Sequence, residues 1–522
     1  MSRRAAQLAV VLAAVVGLAT VSALVPAYLR GLGFPLDDAW SSAVHARTLV
    51  QSGRLESAPA ELGTPGASPL WAAVLAVPHL LAGDARAFVL AVKLLGFALH
   101  IAAALVLLRA LGVDADGRVR PWPLAGALLV AAHPDLISAS LAGVETPLAT
   151  LLAASLVLAA GRPSIAAWTL LSVLGPLTCP ELPVVGLVAP AVLWWQAPRR
   201  LGLLAAVAVG GAAAAQLAGG LLGASPLGAL ASAASNAPVW VQAEWFGFSH
   251  VLGRFAVADA GLLLLAAAVV AVHAAVARDG EPASGQRAAA ALLAGLAFCA
   301  VSFAAFPPFD PALFVFQRRA LPGAALLIAA MPVLLARAIE RLPARPARLA
   351  TAALLVLLAL SVIVTPRLRY RMLAGDARQV DDVGVAIGRQ LADARPGDVV
   401  WAVGGGAVGY FGRARVLDLA AVSASRLSPQ AMQALLDRHP PSYIEVAPGA
   451  SSVDVPGRRL YTRPYQALAA NPVVGAPAIP PRWMVACDDP STAGRVILPR
   501  GPVTFRCADP SARGALATTP RH

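Results

Sequence analysis

Apolar positions come in long blocks separated by short polar turns, and this pattern gives way near residue 366 to mixed polar and apolar residues. A helix needs roughly 20 apolar residues to cross about 30 Å of hydrocarbon. The blocks fall at 5–29, 88–109, 121–133, 146–160, 164–178, 182–197, 201–222, 258–277, 288–306, 322–339 and 349–365. They predict about eleven transmembrane helices, with those at 121–133 and 164–178 short for a full crossing. The first block is long and no small-x-small cleavage site follows it. It is therefore read as an uncleaved first span rather than a signal peptide.

Composition sharpens this picture. Residues of the apolar set make up 58% of the 522 and charged residues 13%, against about 45–50% and about 25% in soluble proteins. Mean hydropathy is +0.70. A set of soluble domains, a disordered chain, a collagen and a disulfide scaffold are all excluded, which leaves a polytopic membrane protein.

The net charge of +13 changes the reading only through its placement. Lys93 is the single lysine, and many arginines sit in turns between apolar blocks: Arg109, Arg118 and Arg120; Arg162; Arg199 and Arg200; Arg278 and Arg287; Arg337, Arg341, Arg345 and Arg348. This is the positive-inside pattern and not a nucleic-acid-binding stripe. It predicts a multi-pass protein of the inner (plasma) membrane, with its N-terminus in the cytoplasm and its C-terminal tail outside.

The predicted organisation is a transmembrane domain over 1–365, with a first outer loop at 30–87, and an extracytoplasmic domain over 366–522. A second outer loop at 223–257 carries Trp240, Trp245, Phe246 and Phe248, better read as an interfacial belt than as a lid. The tail reads as α/β. Helical patterns at 380–394 and 429–438 alternate with strand patterns at 399–403, 415–419 and 443–446. Gly404-Gly405-Gly406 lacks a following Gly-Lys-Ser/Thr, so it reads as a tight strand-to-helix turn and not a phosphate loop. Cys487 and Cys507 both fall in the outer tail, where paired thiols oxidise, and a disulfide between them is expected. No CxxC motif or His-rich cluster points to zinc.

The chemistry-bearing stretch is Gly33-Phe34-Pro35-Leu36-Asp37-Asp38-Ala39-Trp40, just outside the first span. Adjacent carboxylates at a membrane boundary are costly unless solvated or used. One could take a proton from an attacking hydroxyl. The other could orient an acceptor or hold a divalent cation, Mg2+ or Mn2+. Against this stands helix capping by Asp37 or Asp38. An amphipathic helix at 39–49 follows, carrying His45 and Arg47. The segment 72–81, entered through Trp71, is suited to lying in the interface. His133-Pro134-Asp135 reads as an outer turn.

Asp37-Asp38-Ala39-Trp40 with His45-Ala46-Arg47 and Ser68-Pro69-Leu70-Trp71 resembles the first outer loop of the GT-C superfamily. These are membrane glycosyltransferases that use polyprenyl-phosphate sugars, and the likeness is greatest to bacterial arabinosyl- and mannosyltransferases of the cell envelope. Leu141-Ala142-Gly143-Val144-Glu145-Thr146 resembles their Ser-Gly-Met-Glu-Thr segment. Gln317-Arg318-Arg319-Ala320-Leu321-Pro322 resembles their Arg-Tyr-Leu-Leu-Pro. In the tail, Gly405 to Phe411 and then Arg415-Val416-Leu417-Asp418-Leu419 resemble Gly-Ala-Ile-Gly-Tyr-Phe and Arg-Val-Val-Asp-Leu. This chain departs from the pattern at Cys179-Pro180-Glu181, where Arg-Pro-Glu is frequent, at Gly404, where Asp is frequent, and at Arg319, where an aromatic is usual.

The resemblance implies a GT-C-like helical membrane fold and an inverting hexosyl- or pentosyltransferase. Asp37 or Asp38 would be the base. Arg318, Arg319, Lys93, Glu145, His45 and Arg47 would bind substrate. The partners would be a polyprenyl-phosphate sugar, an envelope glycan, lipid or protein acceptor, and membrane lipids. The rival readings are a transporter or flippase of lipid-linked substrates, and a non-catalytic GT-C-like scaffold.

Overall fold

The structure, a computed structural model, describes residues 2–24, 33–55, 68–112, 118–161, 164–221, 283–305, 314–340, 380–394, 397–402, 405–412, 414–419, 428–446 and 501–508, with strand residues 453–454, 462–464, 483–486 and 493–498. The expected spans at 258–277 and 349–365, the aromatic loop at 223–257, Gly404 and Cys487 lie outside the described residues.

The membrane part is built of α1 (Arg3–Leu24), α2 (Asp37–Ser52), α3 (Pro69–Leu81), α4 (Ala85–Gly112), α5 (Pro121–Ala132), α6 (Pro134–Leu141), α7 (Thr146–Gly161), α8 (Ile165–Thr178), α9 (Leu182–Trp194), α10 (Pro198–Leu221), α11 (Ala283–Ala305) and α12 (Phe314–Glu340). Local sequence sets several starts. Ser68 caps α3 by accepting from the Trp71 amide at 3.2 Å, with Pro69 in the first turn. Ser164 caps α8 from the Ala167 amide. Small residues let helices approach closely: a Cβ on Gly295 of α11 would come 2.7 Å from the Gly323 carbonyl of α12.

Among the described residues four helices are long and apolar enough to cross a membrane. They are α4, α10, Gly285–Ser302 of α11 and Arg319–Arg337 of α12. A fifth span results if α5 and α6, bent by 47° from each other, form one broken crossing. The apolar blocks predict full spans at α7 and α9 and a short one at α8. At 16, 14 and 13 residues, they reach only about 20–24 Å at 1.5 Å per residue. The break at Cys179-Pro180 ends α8 and precedes α9. The structure places His133-Pro134-Asp135 at the bend between α5 and α6, with His133 and Asp135 buried.

The C-terminal part begins with a π turn (Val380–Val385) leading into α13 (Ala386–Gln390). Then come β1 (Val399–Ala402), α14 (Gly406–Phe411), β2 (Arg415–Asp418), α15 (Pro429–Arg438), β3 (Tyr443–Val446), β4 (Val453–Asp454), β5 (Thr462–Pro464), β6 (Trp483–Ala486), β7 (Ala493–Leu498) and β8 (Gly501–Arg506). One sheet has the order β2-β1-β3-β6-β5, with β2, β1 and β3 parallel. Every residue of β1 is buried, which its unbroken apolar run demands of a central parallel strand. A second, antiparallel sheet holds β4, β7 and β8.

Candidate active site

Neither acid of the pair caps its own helix. Leu36 is the N-cap residue of α2, and Asp37 and Asp38 occupy the first turn, where the helix dipole favours them. The Asp37 carboxylate reaches the tail instead. Its Oδ2 accepts from the Gly406 amide and its Oδ1 from the Ala407 amide, both at 2.8 Å. These amides open α14, so Asp37 caps a helix 369 residues further along the chain. At the other end of α14, the Arg47 guanidinium donates to the carbonyls of Gly409 and Tyr410, both at 2.8 Å. It also lies 5.6 Å from the Tyr410 ring centroid. Thus α2 brackets α14, with an acid at its amide end and a base at its carbonyl end, the signs the dipole favours.

Glycine permits this approach. A side chain on Gly406 would run into the Asp37 carbonyl and Ser41. On the opposite side, a Cβ on Gly388 would stand 2.7 Å from the Phe411 Cβ and 2.9 Å from the Ala407 carbonyl. Trp40 fills the centre, its ring 4.9 Å from Phe34, 4.8 Å from Tyr410 and 4.8 Å from Phe411. Phe88 stacks on Tyr410 at 5.8 Å, and His79 meets both rings edge-on.

Burial pushes the Asp37 carboxyl up to about 7, against the two amides that lower it, and repulsion from Asp38 and Asp418 adds to the rise. The folded pKa lies above the ordinary value, so the docked state holds the proton more tightly than the undocked chain. Docking of the tail is therefore tightest below pH 3.8, weakens as pH rises towards about 7, and is flat above that. Thermal unfolding across this window tests the sign. The difference between wild type and Asp37→Asn shrinks from low to neutral pH if wild type behaves this way, and growth of that difference contradicts it.

Asp38, on the same turn, is exposed. His45 is buried, its Nδ1 2.7 Å from the Leu55 carbonyl, and it fastens the chain leaving α2. Glu145 is half-buried just before α7. Beside it Gly143 takes the left-handed φ of 79°. Its carbonyl accepts from the Trp71 indole at 3.0 Å, and a Cβ there would sit 2.5 Å from the Phe34 ring. Ser68 donates to the Leu177 carbonyl at 3.2 Å. Glu181, fully buried, accepts from the Cys179 thiol at 2.7 Å and lies 3.9 Å from the Arg319 guanidinium.

Arg318 and Arg319 both lie within α12, and the Arg318 side chain is outside the described residues. Lys93 is buried on α4, one turn before Gly96, which packs against Ser140. Cys507 is buried and disulfide-bonded; its expected partner, Cys487, is not among the described residues. No group of three metal-ligating side chains occurs among the described residues.

The segments singled out in sequence thus converge. Residues 34–47 contact 405–411 through Asp37 and Arg47, and 141–146 through Phe34. Residues 68–71 join 143 and 177, and 179–181 join 319. Sequence reading did not anticipate that Asp37 and Arg47 engage the tail, that Glu181 pairs with Arg319, or that His79 and Tyr410 border the site. The glycines at 405, 406 and 409 beside Tyr410-Phe411 were the available sign of a closely packed helix.

No family model matches the chain, and no curated protein matches it. Among solved structures, the chain is similar to the archaeal oligosaccharyltransferase AglB from Archaeoglobus fulgidus, solved in complex with an inhibitory peptide and a dolichol-phosphate. The TM-score is 0.50 at 11% identity, over 84% of this chain and 69% of that one. At this identity the likeness is one of fold alone, in keeping with the mostly helical architecture and its long apolar helices.

Proposed function

We propose that the chain is a membrane glycosyltransferase. It takes a sugar from a polyprenyl-phosphate donor and joins it, with inversion, to a hydroxyl of an envelope glycan, lipid or protein. Residues 1–365 form the catalytic membrane part, and 366–522 complete the site from outside. One observation supports this reading above the others. Both Asp37 oxygens are engaged by α14 amides, while Asp38 is exposed on the same turn. One carboxylate assembles the site and its neighbour faces the acceptor. The GT-C-like fold, and the dolichol-phosphate held by the similar enzyme, favour a lipid-linked donor.

In this mechanism Asp38 accepts the proton of the acceptor hydroxyl as that oxygen bonds to the anomeric carbon. The bond from that carbon to the phosphate oxygen breaks, and polyprenyl phosphate leaves with the electron pair. Phosphate is already a good leaving group, so one base suffices. Amide donors already engage each oxygen of Asp37, and no step in this mechanism runs through a metal.

The test is donor choice. Purified protein in nanodiscs, given envelope extract as acceptor, is expected to consume a polyprenyl-phosphate sugar and to leave nucleotide sugars untouched. Consumption of a nucleotide sugar alone would overturn the reading.

A further inference from the structure

The bundle carries a pocket at the end away from the candidate site. It encloses about 220 Å³, and Arg3 and Gln7 of α1, Val106 and Arg109 of α4, and Leu158 of α7 line it. This is where α1 begins and where α4 and α7 end. Phe88, near the other end of α4, stacks on Tyr410 of the candidate site. At 1.5 Å per residue, Arg109 stands about 30 Å further along that helix. A ligand in this pocket is therefore neither donor nor acceptor for the acidic pair.

The lining joins a cationic surface to an aliphatic one. Arg3 and Gln7 share one face of α1, as Val106 and Arg109 share one face of α4. Two guanidiniums thus reach one small space from different helices. Among the described residues no carboxylate pairs with either. Like charges brought together repel, and an anion between them turns that repulsion into attraction. The Gln7 carboxamide adds a neutral donor. Val106 and Leu158 supply an apolar wall. Leu8, next to Gln7, opens an exposed apolar stripe that runs on through Leu12, Val15 and Val16, a face suited to hydrocarbon. The volume is below the roughly 300–1,000 Å³ that takes a whole small ligand. It suits a head group whose acyl chains lie outside, along the stripe.

We infer that this pocket binds the head group of an anionic phospholipid, with Arg3 and Arg109 on its phosphate and Gln7 on a neighbouring oxygen. Basic pockets between membrane helices recognise such heads on the cytoplasmic side, and the arginine pattern predicts this end of the bundle to be cytoplasmic. The lipid bridges the first helix to α4 and α7 and neutralises the charges that meet there. The inference uses nothing of the transferase reading, and no outcome of a transfer assay bears on it.

The test places the protein in phosphatidylcholine nanodiscs with a trace of phosphatidylglycerol, photoreactive near its head group, and identifies labelled peptides by mass spectrometry. Label is expected at residues 3–8, 105–109 and 158. Unlabelled phosphatidylglycerol is expected to displace it, and inorganic phosphate is not. Arg3→Gln and Arg109→Gln are each expected to lower labelling about fivefold, the weight of one arginine on an anionic lipid. Both residues are exposed, so both variants should fold. Val106→Trp fills the pocket without changing its charge and is expected to lower labelling at least as far. Arg4→Gln removes the same charge from an exposed neighbour outside the lining and is expected to label as wild type does. The unfolding temperature of wild type should rise with phosphatidylglycerol content, and that of the Arg3→Gln, Arg109→Gln double variant should not.

Label spread evenly over the apolar surface, or an equal loss in Arg4→Gln, would reduce the lipid to an unspecific shell and overturn the site. Displacement by inorganic phosphate would overturn the lipid in favour of a free anion. A wild-type unfolding temperature indifferent to phosphatidylglycerol would overturn the bridge between helices.

Discussion

Asp38→Asn is expected to lower sugar transfer roughly 10²–10⁴-fold, the usual contribution of a positioned general base. Thermal unfolding should stay at the wild-type value, because Asp38 is exposed and the substitution keeps its shape. Removal of a group acting only in the transition state lowers kcat and kcat/KM together and leaves donor KM near wild type. Asn cannot take the acceptor proton, but it fills the same space and can still hydrogen-bond. A variant that transfers sugar at the wild-type rate would deprive Asp38 of the role and leave the acidic pair with a purely structural one.

Asp37→Ala should fail for a different reason. The Gly406 and Ala407 amides lose their acceptor, and an unsatisfied, largely buried donor costs about 1–3 kcal/mol. Docking of α14 on α2 should weaken by roughly 2–6 kcal/mol if both amides stay dry. Water reaching the gap would bring the loss to the lower end. The expected signature is faster amide exchange over 406–411 and a lower unfolding temperature, with transfer lost because the tail no longer closes the site. Gly406→Val should give the same signature by steric collision with Asp37 and Ser41. Unchanged exchange at 406–411 in Asp37→Ala would remove the bracket from the account. The adjacent carboxylates are thus separable, one by stability and the other by chemistry.

Much of the architecture was legible in the pattern of residues. The apolar block at 88–109 became α4, and that at 201–222 became α10. The tail strands at β1, β2 and β3 and helix α15 fall where alternation and turn residues put them. Ser428 before Pro429 is a start signal that needs no tertiary help. The three short helices α7 to α9 were harder, because apolar content does not reveal where Pro and Gly end a helix inside a bundle.

The site was legible in part. Asp37-Asp38 and Tyr410-Phe411 each stood out, yet their meeting depends on packing between segments hundreds of residues apart. A carboxylate next to a helix start is naturally assigned to that helix. Only the tertiary structure turns Asp37 towards Gly406, where missing side chains expose two amides. Glu181 and Arg319 were likewise visible singly, but their pairing depends on how α9 packs near α12.

The most direct measurement reconstitutes the protein in liposomes with a labelled polyprenyl-phosphate sugar and envelope extract. It counts both new glycoside and movement of the donor across the bilayer. The account predicts that labelled sugar appears on the acceptor, polyprenyl phosphate is released in equal amount, and donor crosses no faster than in protein-free liposomes. Accelerated crossing without any new glycoside would contradict it and make the chain a transporter of lipid-linked sugar.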